Sequence, residues 1–160
     1  MENDERVVII PLGRSILKHW VDNNYLRKLG KPEIHIYDGD KIENKKKVEE
    51  VNSRGGKNKG FVTKKREIEN YVHPQIPEKI FRELSENTLI NRAQDDWIVE
   101  WNELDVAKKI KNMVNNLRES KIKEKICTEG VEKMTIELFE ELQAYNEIKE
   151  WFSAIKDAIK

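Results

Sequence analysis

The sequence predicts an α/β fold: a small parallel sheet flanked by helices, followed by a helical C-terminal region. Three observations predict it. A β-branched run, Val7-Val8-Ile9-Ile10, is stopped by Pro11 and Gly13. A second short apolar run, Ile34-His35-Ile36-Tyr37, follows a stretch with helical spacing. Beyond Pro74 and Pro77 the strand signals cease and helical spacing takes over.

Taken in order, Arg6–Ile10 reads as a buried strand. Ser15–Leu29 reads as a helix, because Ile16, Trp20, Val21, Tyr25, Leu26 and Leu29 recur every three or four residues. Gly30 is placed to end it. Ile34–Tyr37 is the next strand, and strand, helix, strand with short connections makes a parallel βαβ unit with a right-handed crossover. The lysine-rich stretch around Lys45, Lys46 and Lys47, with Val48 and Val51, reads as a solvated helix on the sheet. Asn52-Ser53-Arg54-Gly55-Gly56 is a loop, and Gly60–Thr63 a third strand. Further on, Ile80, Phe81 and Leu84 share a face. Asp105–Leu117 is helical, Thr135 resembles an N-cap, and Tyr145–Ile159 carries an amphipathic stripe. Asp95–Trp101 reads equally as strand or linker. The expected division is an α/β core over 1–75 and a helical extension over 76–160.

Composition narrows the function classes. The 160 residues hold 30 Lys+Arg and 30 Asp+Glu, so no global basic field advertises nucleic acid. No apolar run approaches the ~20 residues of a membrane helix, and the N-terminus lacks the basic and apolar regions of a signal peptide. A cytoplasmic location is expected. The single Cys127 excludes a disulfide framework within one chain, and three scattered histidines argue against a His-rich metal site. Any metal must therefore be held by oxygen. Cys127 is expected to be a small buried hydrophobe, and the four tryptophans to be core anchors.

Asp38-Gly39-Asp40 stands at the carboxyl end of an expected parallel strand, where ligands of open α/β sheets bind. Two carboxylates two residues apart can converge on one hard cation, although Asp and Gly are equally common in plain turns. Glu67 and Glu69, in Arg66-Glu67-Ile68-Glu69-Asn70-Tyr71, follow the next strand and emerge on the same edge. They point the same way if that segment is extended, and apart if it opens a helix. Four clustered acids repel one another unless cations neutralise them. Mg²⁺ or Mn²⁺ would do so, in a site suited to phosphodiester hydrolysis. Lys64, Lys65 and Arg66, with Arg54 and Lys57 in the glycine loop, would supply positive charge to a nucleic acid.

The order VVIIPLG, helix, HIYDGDK, GFVTKKREIENYVHP resembles the later part of the Toprim domain in OLD-family nucleases, ATPase-linked enzymes often tied to phage or antiphage systems. The resemblance implies that Asp38, Asp40 and Glu69 bind a divalent metal. It also implies that Glu67 and Glu69 complete a catalytic site, and that a late lysine, Lys133 or Lys125, assists. It implies a DNA endonuclease or nickase. VVIIPLG aligns with the second Toprim strand, so the first strand, its glutamate and the following helix are expected to be lacking, and the isolated chain's activity incomplete. A natural truncation, a split enzyme and a fragment would look alike. The expected partners are DNA, an ATPase or a chain supplying that strand, and a second copy of the chain; a membrane is not among them. The competing reading is a non-catalytic Toprim remnant or interaction module that binds an ATPase. A phosphatase-like domain is disfavoured, because Asp38 follows the second expected strand and not the first.

Overall fold

The computed structural model describes residues 4–10, 29–81, 84, 88–114 and 117–160. The fold is α/β. Strand β1 (Ile34–Tyr37) pairs in parallel with β2 (Lys59–Val62), in a register that sets Ile34 opposite Lys59 and Tyr37 opposite Val62. Helix α1 (Ile42–Ser53) connects them, so the observed βαβ unit begins at Ile34–Tyr37, the strand with which the expected unit was to end. The region that follows is mostly helical: α2 (Gln75–Ile80), α3 (Trp97–Glu103), α4 (Val106–Met113), α5 (Glu119–Lys125), α6 (Ile136–Glu141) and α7 (Tyr145–Ala158).

The expected sheet of three strands is corrected to two among the described residues. Val7–Ile10 forms no strand, and Val8 is 80% exposed. A β-branched run becomes a strand only where a neighbour takes its hydrogen bonds and covers a face. Here the chain before it is drawn into a local turn instead. Asp4 Oδ1 accepts from both the backbone N–H and the Nε of Arg6, and the Val7 N–H donates to the Asp4 carbonyl. The Ser15–Leu29 helix lies, apart from Leu29, outside the described residues. Gly30 has the left-handed φ of 60° that a helix-ending glycine adopts.

Two compact units divide the chain by interleaving. A sheet unit takes the chain up to Tyr37, Lys41–Val62 and Lys149–Lys160; a helical unit takes Asp38–Asp40 and Thr63–Ile148. In the sheet unit Tyr37 and Val51 are buried, with Val48 packed against them. α1 lies close to β2 because Gly60 has no side chain: a Cβ there would stand 3.0 Å from Val48 Cα. The Gly60 N–H donates to Asn52 Oδ1 at 2.9 Å, which fixes the helix end to the strand. Gly55 and Gly56, both at positive φ, make the turn between them.

In the helical unit Trp97 and Trp101 are buried four residues apart on α3, which settles the ambiguous segment as helix. Asp105 caps α4 by accepting from the Lys108 N–H, and Thr135 caps α6 by accepting from the Leu138 N–H. Asn70 is fully buried at the centre. Its Nδ2 donates to the carbonyls of Trp101 and Leu104, its Oδ1 accepts from the Glu67 N–H, and its own carbonyl accepts from Trp101 Nε1.

Candidate functional site

Both strands run directly into the candidate site, since Asp38 follows β1 and Thr63 follows β2. The Gly39 N–H donates to Thr63 Oγ1 at 2.8 Å, and that hydroxyl donates to the Lys65 carbonyl at 2.7 Å. Gly39 lies against this second segment, where a Cβ would stand 2.5 Å from the Thr63 carbonyl oxygen and 2.6 Å from that of Lys65. The glycine between the two aspartates is therefore required by backbone proximity.

The second acidic motif opens a short helix rather than staying extended: only Glu67 is extended, and Glu69 lies inside the turn that follows it. Glu67 has φ −138° and ψ 166° and precedes a 3-10 turn over Ile68–Tyr71. Glu67 and Glu69, both buried, reach the same partner: Lys123 Nζ is 2.9 Å from Glu67 Oε2 and 3.1 Å from Glu69 Oε1. The Ile68 N–H, between them, donates to Asp38 Oδ1 at 3.1 Å. Asp38, Glu67, Glu69 and Lys123 thus form one cluster, with Asp40 exposed at its edge.

Burial pushes the Asp38 carboxyl up, and Glu67 and Asp40 push it further, against the Ile68 N–H and Lys123. Burial likewise raises Glu69, with Lys123 opposing. For Lys123 burial alone would lower the ammonium pKa, but pairing with Glu67 and Glu69 outweighs it and the net shift is upward. Burial leads on the two acids, and the neighbouring charges decide the direction for Lys123.

The donor set is all oxygen, as a hard cation requires, and Glu69 Oε2 is buried without a hydrogen bond. Among the described residues no three His, Cys, Asp or Glu side chains are arranged as a metal cage. An ion held here would draw part of its shell from water, as Mg²⁺ usually does.

Several expected residues take other roles. The lysine at the cluster is Lys123; Lys133 is exposed at the end of a 3-10 turn, and Lys125 lies over the Phe81 ring at 5.4 Å. Helical spacing could have narrowed the choice, because Ile122 and Ile126 mark the buried stripe of this segment and Lys123 and Lys125 flank it. Lys65 is not available to a nucleic acid: it is buried, and its Nζ donates to Asn102 Oδ1 and the Leu142 carbonyl. Arg54 is paired with Glu33 at 3.0 Å and Glu50 at 3.4 Å. Lys57 and Lys64 are exposed and Arg66 is half-buried. Cys127 is exposed rather than buried, one turn beyond Lys123.

No family model, curated protein or solved structure matches the chain. Among the described residues no helix is long and apolar enough to cross a membrane.

Proposed function

We propose that this chain is a divalent-metal-dependent phosphodiesterase acting on DNA, of the kind its resemblance to OLD-family Toprim nucleases implies. The observation that carries the reading is the meeting of the Asp38-Gly39-Asp40 and Glu67-Ile68-Glu69 segments around Lys123. Asp38, Asp40 and Glu69 would hold the ion, whose contribution is Lewis-acid polarisation of a phosphoryl oxygen. The chain's own part is positional. Gly39 and Thr63 fix the first acidic pair, Asn70 fixes the backbone of the second, and Lys123 brings a positive charge to the place where phosphate charge must be offset. Lys64 presents a further cation to solvent.

Calorimetric titration with Mn²⁺ and nicking of supercoiled plasmid test the reading together. Binding to the wild type should be lost in Glu69→Gln and weakened in Asp40→Asn. Nicking should fall in the same order, by about three powers of ten where the ion is lost. Asp40 is exposed, so its substitution leaves the fold alone. No Mn²⁺ binding and no nicking by the wild type would favour the second reading, a non-catalytic module that docks an ATPase. The pairing of Glu67 and Glu69 with a lysine is the observation on that side.

A further inference from the structure

Charge is divided unequally between the two compact units. The sheet unit carries 16 Lys and Arg against 10 Asp and Glu, whereas the helical unit, which holds the acidic cluster, carries 14 against 20. The basic excess has a local focus. At the amino end of the sheet, where Ile34 and Lys59 begin the two strands, a cleft of about 500 Å³ opens between Gly30–Glu33 and the turn that carries Arg54, Lys57 and Asn58. Lys31 and Lys57 line it from opposite sides; both are exposed, and neither makes an ion pair with a described acid. The one lining acid is already engaged, since Glu33 Oε2 accepts from Arg54 Nη1 at 3.0 Å and lies 2.9 Å from His35 Nε2. The two lysines are left unanswered. Gly55 and Gly56 have open space where a Cβ would stand, so a large ligand can come up against this turn. The positive surface continues beside the cleft. Asp157, on α7, is held below its ordinary carboxylate value by Lys160 first, with Lys57 and Lys59 adding to the effect.

Resting on the reading of a DNA phosphodiesterase, we propose that the cleft of Lys31 and Lys57, with Lys59 and Lys160 beside it, binds the phosphate backbone of DNA. An acidic cluster repels a polyanion, and the unit around this one is itself net negative. Lys65, the cation expected to offset that repulsion, is buried and bonded inside the unit. The attraction must come from elsewhere in the chain, and sequence-independent affinity for DNA comes from lysine and arginine set against phosphates. These cations are spread over two loops and the last helix, an arrangement that suits an extended polyanion better than one small phosphate. The cleft is concave and its lining polar, whereas an anionic membrane surface calls for a basic helix face backed by large apolar residues. Lysines on backbone phosphates position a duplex without selecting its sequence, so binding here is indifferent to base order.

The test is fluorescence anisotropy of a labelled random-sequence duplex across a salt series, in EDTA so that no metal site takes part. Lys31→Gln/Lys57→Gln should bind about tenfold more weakly than the wild type at ~0.1 M salt, with a plot of log affinity against log salt shallower by about 2. Lys108→Gln/Lys109→Gln makes the same change of charge on exposed lysines of the helical unit and should bind as the wild type does. Where the first double variant melts early, Lys57→Gln alone, on the open turn, should still give half the change in slope. Equal losses in the two double variants, or no loss in either, overturn the cleft and leave the phosphodiesterase reading to its own Mn²⁺ and nicking tests. Cleft-dependent binding by a wild type that nicks nothing supports the surface and sinks the catalytic reading. A wild type that binds no duplex at any salt overturns both. Binding to phosphatidylserine vesicles but not to DNA, lost in Lys31→Gln/Lys57→Gln, overturns the proposal in favour of a membrane.

Discussion

Ile68 donates its backbone N–H to Asp38 Oδ1 over 3.1 Å, joining two acidic motifs that lie 30 residues apart in the chain. The bond makes the placement of one pair of acids depend on the backbone of the other. Disturbing either segment should therefore register at both.

Gly39→Ala is the sharpest case. A Cβ at this position meets two backbone carbonyl oxygens, neither of which can rotate away. The expected cost is about 3 kcal/mol, at the upper end for overpacking. Calorimetric melting should show a drop of roughly 6–12 °C, with loss of Mn²⁺ binding. A variant that melts within a degree of wild type would contradict the close approach.

Thr63→Val keeps the shape and removes the hydroxyl that bridges the Gly39 N–H to the Lys65 carbonyl. The expected loss is about 2 kcal/mol in urea unfolding, with weaker ion binding. Thr63→Ser should retain both bonds and most of the stability.

Asn70→Ala should be among the most damaging single changes. It strips partners from the Trp101 and Leu104 carbonyls and from the Glu67 N–H, all around a fully buried side chain. A loss of about 4 kcal/mol is expected. Unfolding at unchanged urea would show that water replaces the side chain.

Stability should climb with pH above neutrality. Burial lowers the Lys65 ammonium from 10.5 to about 8, against the pull of Glu147. Between those values the unfolded chain holds a proton that the folded chain has released, so stability rises with pH across the window and is lost as pH falls back through it. Burial pushes Tyr37 up from 10.0 to about 12 and raises Tyr71 as well. Those groups favour the folded chain while protonated, so stability should decline again above about 10. Urea midpoints between pH 7 and 11 give the curve. Lys65→Met should abolish the rise; a rise that survives it must come from another group.

The elements best legible in the sequence were those set by local chemistry. Ile34–Tyr37 emerged at its observed bounds, because alternation inside it and Asp-Gly after it are both local signals. The cap at Thr135 belongs to the same class. Val7–Ile10 shows the limit, since its residues suit a strand but strand formation depends on a neighbour. The site divides in the same way. Asp38, Asp40, Glu67 and Glu69 stood out because acids after two parallel strands must emerge on one edge. Lys123 and Lys125 look alike in a helix that alternates lysine with other residues; which of them meets the acids depends on where Phe81 lies. Lys65 sits in a basic run indistinguishable from a solvated one, and only Asn102 and Leu142, far along the chain, make it internal.

The interleaving of the two compact units governs how this chain can be cut. Neither unit is a continuous stretch, so no single break yields one whole and the other whole. A fragment ending at residue 75 would carry both strands and all four acids yet leave Lys123 behind, while a chain stopped at Ile148 would keep the acidic cluster and Lys123 but take Lys149–Lys160 from the sheet unit. Closing the sheet unit requires Lys149–Lys160 to come back after an excursion through Thr63–Ile148, a loop whose closure entropy must be met before that unit is complete. The sheet unit can therefore be finished only after Lys149–Lys160 have been made, whereas the helical unit needs none of them.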